Sequence, residues 1–287
     1  MKINKGKLYL ITGGSGFLGD ELIKRIINFG GVVRVIARNE GKLIELKEKY
    51  PNIQIHTGDI SDKFEVRQAF KGVTGVFHLA ASKHVGLAET YCRECVKSNI
   101  IGSMNVLEQS LIEEPEFVIG ISTDKAAQVS GVYGASKLLM ERLFQQYERI
   151  NEKTKYRVVR YGNVIYSTGS VLCKWRKLIK NNEEIIVTDP AATRFFWTVG
   201  EAVDLIFECL RDAKDSLPYV PDMKSMCLKD LLEAMKTKYL PDSAKGNLKI
   251  REIGLQKGEN LHEKVVDGGP YSNEVENFTI EEILEKI

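Results

Sequence analysis

A doubly wound, Rossmann-type α/β fold with a parallel sheet and a smaller C-terminal lobe is predicted by three features of the chain. Short apolar runs alternate with longer amphipathic ones, the pattern of βαβ units packed around a parallel sheet. The first apolar run, Leu8-Tyr9-Leu10-Ile11-Thr12, passes straight into Gly13-Gly14-Ser15-Gly16-Phe17-Leu18-Gly19, with glycines spaced for a tight strand-to-helix turn. After Tyr161 the alternation gives way to Gly, Ser, Asn and Pro punctuation with short strands, as expected of a lobe covering the carboxyl edge of a sheet.

Strands are expected in order at residues 8–12, 32–36, 53–57, 75–79, 117–122 and 157–161, where apolar runs are short and bounded by turn residues. The run Phe117-Val118-Ile119-Gly120-Ile121 is continuous, as a strand covered on both faces should be. A helix is expected at 17–28, because Leu18, Leu22, Ile26 and Phe29 fall on one face. Further helices are expected at 42–49, 63–70, 89–111 and 133–150, and helical periodicity returns at 199–211, 228–239 and 279–286. The division that follows is a dinucleotide-binding domain over 1–165, with 190–212 returning to it, and a lobe made of 166–189 and 213–287.

Composition excludes several partners. The 287 residues are 43% hydrophobic, enough for one large core and a smaller one. With 41 basic against 39 acidic residues the net charge is +2, so no overall field draws the chain to nucleic acid or an anionic membrane. No apolar segment has bilayer length, and Met1-Lys2-Ile3-Asn4-Lys5 lacks the apolar core of a signal peptide, so a cytoplasmic location is expected. The five cysteines are an odd, scattered set, as for reduced thiols. Cys92-x-x-Cys95 has neither a second pair nor a nearby histidine, so no metal is expected there. His56 and His78 fall in strand patterns and read as satisfied core or edge residues.

The glycine turn is a candidate pyrophosphate site. Gly13, Gly16 and Gly19 allow the turn and the close approach of backbone amides, while Ser15, Phe17 and Leu18 bring the helix amino end to the ligand. A carboxylate at the end of the second strand would bind an adenosine ribose and repel a phosphate on it; Ala37-Arg38-Asn39 stands there instead. Arg38 offers a fork for a 2′-phosphate and Lys42 lies one turn on, so NADP is favoured over NAD.

A second constellation runs from Ser122 to Lys137. Thr123, Asp124 and Lys125 leave the carboxyl end of the fifth expected strand, the edge where open α/β sheets bind ligands. Tyr133 and Lys137 are four apart, which sets phenol and ammonium on one helical face. The cation is expected to depress the phenol's pKa. The plainer alternative for Asp124 and Lys125 is a surface ion pair, worth under about 1 kcal/mol.

With these motifs the chain resembles the extended short-chain dehydrogenase/reductase family, and within it the UDP-N-acetylglucosamine 4,6-dehydratases that invert C5. Further blocks carry the resemblance: Gly58-Asp59-Ile60, Ala80-Ala81-Ser82-Lys83-His84-Val85, Tyr161-Gly162-Asn163-Val164, Thr193-Arg194-Phe195-Phe196 and Gly258-Glu259-Asn260-Leu261-His262-Glu263. Asp124-Lys125 is the discriminating pair, since retaining dehydratases carry Asp-Glu there and 4-epimerases lack the acidic pair. The resemblance implies that Tyr133, supported by Lys137, takes the O4 proton as C4 is oxidised, with Thr123 near O4. It implies that Lys125, as a neutral amine lowered in pKa by burial and neighbouring cations, takes the C5 proton, and that protonated Asp124 donates to the departing O6.

For the cofactor, the resemblance implies adenine contacts from Asp59 and Ile60 and dinucleotide contacts from Leu79, Ala80 and Ala81. Asn99 would lie beneath Tyr133, and Tyr161 and Val164 at the nicotinamide side. For a UDP-sugar it implies Lys83 and His84 at the lip, and Asn163, Ser170, Val171, Arg194 and Glu259 around the UDP, Arg194 on a diphosphate oxygen. Gln256-Lys257 replaces the Arg-Pro usual before Gly258, so Gln256 stands at the diphosphate site and the guanidinium's duty passes to Lys257. His262 and Glu263 are assigned to structure, and the helices before and after the Asp124-Lys125 turn to a homo-oligomer, dimer or hexamer. Three rivals stay open: a 5,6-dehydratase ending at an exocyclic enol ether, a C5-retaining dehydratase or 4-epimerase, and a non-catalytic NADP-binding sensor.

Overall fold

Segments of four to seven residues, largely buried except for the exposed edge strand β3, build the central sheet: β1 (Leu8–Thr12), β2 (Val32–Ala37), β3 (Gln54–Thr57), β4 (Gly75–His78), β5 (Phe117–Thr123) and β6 (Lys155–Tyr161). The computed structural model describes residues 2–241 and 248–287. Beyond β6 come β7 (Asn163–Val164), β8 (Ile185–Val187), β9 (Thr193–Trp197), β10 (Pro218–Tyr219), β11 (Ser225–Cys227) and β12 (Ile250–Glu252). The large sheet is parallel throughout, in the order β10-β6-β5-β4-β1-β2-β3. The order reverses between β1 and β4, which opens a crevice at the carboxyl ends of those strands.

The helices are α1 (Phe17–Asn28), α2 (Glu40–Lys49), α3 (Lys63–Phe70), α4 (Val85–Thr90), α5 (Cys92–Val96), α6 (Gly102–Glu113), α7 (Val132–Ile150), α8 (Val171–Lys180), α9 (Val199–Asp212), α10 (Leu228–Tyr239) and α11 (Ile280–Lys286). One face of the sheet is covered by α1 and α9 through residues such as Leu22, Ile26, Val203 and Ile206. The other face is covered by α3, α6 and α7 through Phe70, Val106, Met140 and Phe144. A separate core joins Leu172, Trp175 and Ile179 of α8 to Leu231 and Met235 of α10 and Ile283 of α11.

Three expectations change. The single helix over 89–111 is broken into α4, α5, a π turn at Lys97–Ile101 and α6. Its cause is polar: the π turn carries Asn99, fully buried, whose amide accepts from Ser82 N at 2.7 Å and donates to Ser82 O at 2.9 Å. Residues 171–180 form a helix where irregularity was expected, capped by Ser170, whose Oγ accepts from Cys173 N. Residues 218–219, assigned by sequence to the lobe, add β10 to the large sheet beside β6.

Two buried polar groups tie these layers together. Glu141 of α7 and Arg160 of β6 are both about 2% exposed and form a bidentate pair at 3.0 and 2.6 Å. Ser122 Oγ donates to the same carboxylate, and Arg160 Nη1 donates to Val265 O at 2.7 Å. His78, at the end of β4, lies 2.8 Å from Thr12 Oγ1 and 2.9 Å from Ser103 Oγ. Ser103 donates to Asn99 O, and Thr12 accepts from Ala80 N, so a neutral imidazole with its proton on Nε2 satisfies every member.

Burial, with Lys137 adding to it, pushes His78 down to about 3. The unfolded chain, at about 6.5, therefore binds the extra proton between these values, and the folded chain does not. Stability present above about 6.5 is expected to fall as pH drops toward 3, by about 1.4 kcal/mol per pH unit for this one proton. Urea unfolding between pH 7 and 4 measures the slope, which should be one proton shallower in His78→Asn.

Candidate active site

The glycine turn is shaped for a pyrophosphate. Gly13 has φ +69°, and a Cβ on it would lie 2.7 Å from Ala80 Cα. A Cβ on Gly19 would lie 2.3 Å from Gly14 O, so the helix packs directly on the turn. At Gly16 the nearest atom to such a Cβ is Gly13 O at 3.4 Å, and no side chain caps α1. The first amides of α1, from Phe17 and Leu18 beside the half-buried Ser15, thus have no intrahelical acceptor and face an open approach. The residues present fit a dinucleotide.

Just beyond the end of β2, Arg38 is 67% exposed and its guanidinium is 3.8 Å from Asp59, which also lies 3.6 Å from Lys97. Burial alone would raise the Asp59 pKa, but hydrogen bonds from Ser61 and the two cations hold it below the usual carboxylate range. Lys42 is exposed, with its backbone N–H donating to the Asn39 cap of α2. Ile60 is buried against Gly102, and its carbonyl accepts from Asn105 at 3.0 Å. Leu79, Ala80 and Ala81 follow β4 as half-buried backbone opposite the glycine turn. Asn99 secures this loop and donates to Ser136 Oγ at 2.9 Å, three residues after Tyr133.

The chemistry-bearing residues meet where β5 ends. Register places Thr123 beside Tyr161 of β6. A Cβ on Gly134 would sit 2.3 Å from Lys125 O, so this glycine lets α7 approach the turn after β5 and brings Tyr133 beside it. Tyr133, Lys125, Val85 and Gly258 line one small cleft. Asp124 is fully buried, and its Oδ1 accepts from Thr123 Oγ1 at 2.7 Å, Lys125 N at 2.9 Å and Lys125 Nζ at 3.1 Å. Its Oδ2 is buried with no hydrogen-bond partner.

Charge at this site differs from expectation in three respects. Burial alone would lower the Lys125 pKa, but Asp124 and Glu263 outweigh it and hold the ammonium above the ordinary lysine range. The neutral amine is therefore not the resting state. Tyr133 is pushed up to about 12 by burial, not depressed; the cation opposing this is Lys125, with a hydrogen bond to Thr123. Lys137 is itself pushed down to about 8 by burial, with Glu141 pulling the other way. Arg194, assigned from sequence to a diphosphate oxygen, has several contacts within the protein. It is 7% exposed, Nη1 donates to Thr193 O and Leu261 O, and Nε lies 3.7 Å from Glu263.

Glu263, assigned from sequence to structure, comes to this charge cluster. It is 1% exposed, and Oε1 lies 3.5 Å from Lys125 Nζ. Other assigned residues lie around the rim. Asn163 and Val164 form β7 beside Phe196 and Trp197, and Tyr161 is buried. A Cβ on Gly169 would lie 2.8 Å from His84 Cε1, so exposed His84 packs on the turn before Ser170 and Val171. Lys83 is exposed beside it. Glu259 folds back to accept from Gln256 N at 3.2 Å, and Lys257 is 86% exposed, 4.0 Å from Glu89.

Similarity to other proteins agrees with this geometry. A family model described as polysaccharide biosynthesis protein matches residues 9–283. An uncharacterized membrane protein of Methanocaldococcus jannaschii is 38% identical over 91% of this chain and 81% of its own length; among the described residues here, no helix is long and apolar enough to cross a membrane. A UDP-N-acetylglucosamine 4,6-dehydratase (inverting) of Campylobacter jejuni is 34% identical, covering 95% of this chain and 81% of that one. A UDP-glucose 4-epimerase of Rickettsia bellii is 33% identical, covering 91% and 77%. The X-ray structure of Pen from Bacillus thuringiensis superposes with a TM-score of 0.87 at 34% identity, covering 93% of this chain and 83% of that one.

Proposed function

The chain belongs to the polysaccharide biosynthesis protein family, within the extended short-chain dehydrogenases/reductases that include nucleotide-sugar dehydratases and epimerases. On that footing we propose that it is a UDP-N-acetylglucosamine 4,6-dehydratase that inverts C5, holds NADP and releases a UDP-2-acetamido-2,6-dideoxy-4-keto-L-hexose. The observation that carries this reading is the buried contact of Lys125 Nζ with Asp124 Oδ1 at 3.1 Å, beside Tyr133. A 4-epimerase needs no such acid and base at C5 and C6.

The resting ion pair is one proton shift from the reactive state. Transfer of a proton from Lys125 Nζ to Asp124 within their hydrogen bond gives an amine and a carboxylic acid without exchange with water. When bound, the nicotinamide would accept hydride from C4 and later return it to C6. Tyr133 takes the O4 proton before that shift, while Lys125 is still an ammonium whose charge favours phenolate, with Thr123 completing the hydrogen bonding and Lys137 on the same helical face. Lys125 takes the proton from C5, made acidic by the new ketone. The C5–H electrons form the C5=C6 bond, the C6–O6 bond breaks, and Asp124 protonates O6 so that water leaves. Asp124 Oδ1 receives that proton through its hydrogen bond with Lys125 Nζ. Reprotonation of C5 from the opposite ring face inverts it.

Mass spectrometry of UDP-N-acetylglucosamine incubated with the protein tests the reading: loss of one water without net consumption of NADPH is expected, and a sugar nucleotide of unchanged mass would reject it. Arg38 supports NADP over NAD. Arg38→Ala is expected to weaken NADP binding about tenfold, the worth of roughly one charge-assisted hydrogen bond, and to leave NAD unchanged in calorimetric titration. The proposal includes a cytoplasmic homo-oligomer, dimer or hexamer. Leu87 and Tyr91 are 54% and 60% exposed beside α7, whose Leu139 is also exposed, and a second copy would cover them.

A further inference from the structure

We propose that Glu263 is the positioning residue of the C5 base: delivered from the C-terminal segment and buffered by Arg194, its carboxylate fixes the direction of the Lys125 amine and sets how tightly that amine holds its proton. This rests on the dehydratase reading for its catalytic consequence, though not for its electrostatics.

The placement is built by the fold. Leu261 O accepts from Thr193 N at 3.1 Å and Arg194 Nη1 at 2.9 Å, pinning the segment to β9. Ser272 locks the residue itself: Glu263 N donates to Ser272 Oγ at 2.9 Å, Ser272 N donates to Glu263 O at 2.8 Å, and Ser272 Oγ donates to Thr193 O at 3.0 Å. The carboxylate then meets Lys125 Nζ at 3.5 Å and Arg194 Nε at 3.7 Å through one oxygen, while Asn260 Nδ2 approaches the other at 3.4 Å. A buried carboxylate costs several kcal/mol of desolvation unless it is paired. A residue serving only to hold the segment would need none of this charge, because Ser272 and Leu261 already hold the backbone.

Four charges therefore sit together in two opposite pairs, Asp124 and Glu263 against Lys125 and Arg194, all buried except Lys125, whose side chain is 14% exposed. Lys125 is flanked by Asp124 from the end of β5, Glu263 from the C-terminal segment, Arg194 from β9 and Tyr133 from α7. Arg194 offsets part of Glu263's field, so the amine keeps its proton at rest but can give it to Asp124. Without the carboxylate, Arg194 and Lys125 would face each other unscreened, and the lysine proton would be lost more easily.

The test reads the lysine directly. The Lys125 amine, followed by 13C NMR of labelled lysine side chains and assigned with Lys125→Arg, is expected to titrate about one unit or more lower in Glu263→Gln than in the wild type, with Glu263→Asp restoring most of the difference. In parallel, the alkaline-falling limb of kcat with UDP-N-acetylglucosamine, where Lys125 loses to solvent the proton it should pass to Asp124, should move to lower pH in Glu263→Gln. The same variant should lose about tenfold or more in kcat, with KM little changed. An unmoved Lys125 titration in a folded Glu263→Gln protein, or a lower melting temperature with the pH limb unchanged, would overturn the inference. If the wild type forms no dehydrated product while the Lys125 titration still moves, the substrate reading fails and the electrostatic role stands.

Discussion

Replacing Lys125 by alanine is expected to lower kcat about 10²- to 10⁴-fold, the range for removal of a general acid–base group. The same variant should bind the dinucleotide as the wild type does, because the glycine turn and Arg38 lie on other elements. Its exchange of the substrate's C5 proton with solvent should vanish with turnover, since no other amine lines the Tyr133 cleft beside Asp124 among the described residues. A retaining dehydratase or an epimerase would tolerate the change. The comparison of Lys125→Ala with wild type, read as kcat and as dinucleotide affinity, therefore separates the readings.

Glu141→Ala is expected to destabilise the protein by about 3–5 kcal/mol, because it leaves the Arg160 guanidinium buried without its bidentate partner. For a domain of this size that is a fall in melting temperature of about 10 °C, measurable by calorimetry. Removing both members, as Glu141→Met with Arg160→Leu, should recover much of the loss, since paired apolar replacements avoid the stranded charge. Glu141→Ala should also make Lys137 easier to deprotonate, because the carboxylate one turn away supports its charge. The pair acts on the site from below: Ser122 and Arg160 hold the ends of β5 and β6 to α7, and Tyr133 rides on that helix.

The strands were legible because a sheet covered on both faces demands continuous apolar runs, and Phe117 to Ile121 is such a run. The turn from Gly13 to Gly19 was legible because only glycine meets its contacts with Ala80 and Gly14. The helix over 89–111 was misread because its apolar spacing hides Asn99, whose partner Ser82 lies in another loop. In α8, Leu172, Trp175 and Ile179 carried a helical signal that the glycine and serine before them obscured. The states of Lys125 and Tyr133 were out of reach for a different reason. Proton affinity depends on charges far along the chain, and nothing in the run from Thr123 to Lys137 announces that Glu263 and Arg194 come to Lys125. Glu263, read from sequence as structural, stands between His262 and Lys264, so nothing in its own neighbourhood marked it as a buried charge.

The most direct test is to incubate the protein with UDP-N-acetylglucosamine in deuterated water and follow the product by NMR. The geometry of Asp124, Lys125 and Tyr133 predicts a 4-keto-6-deoxy sugar carrying one solvent deuterium at C5, with the ring couplings of the L configuration. A product that keeps its original proton at C5, or one with D-configured couplings, would contradict it.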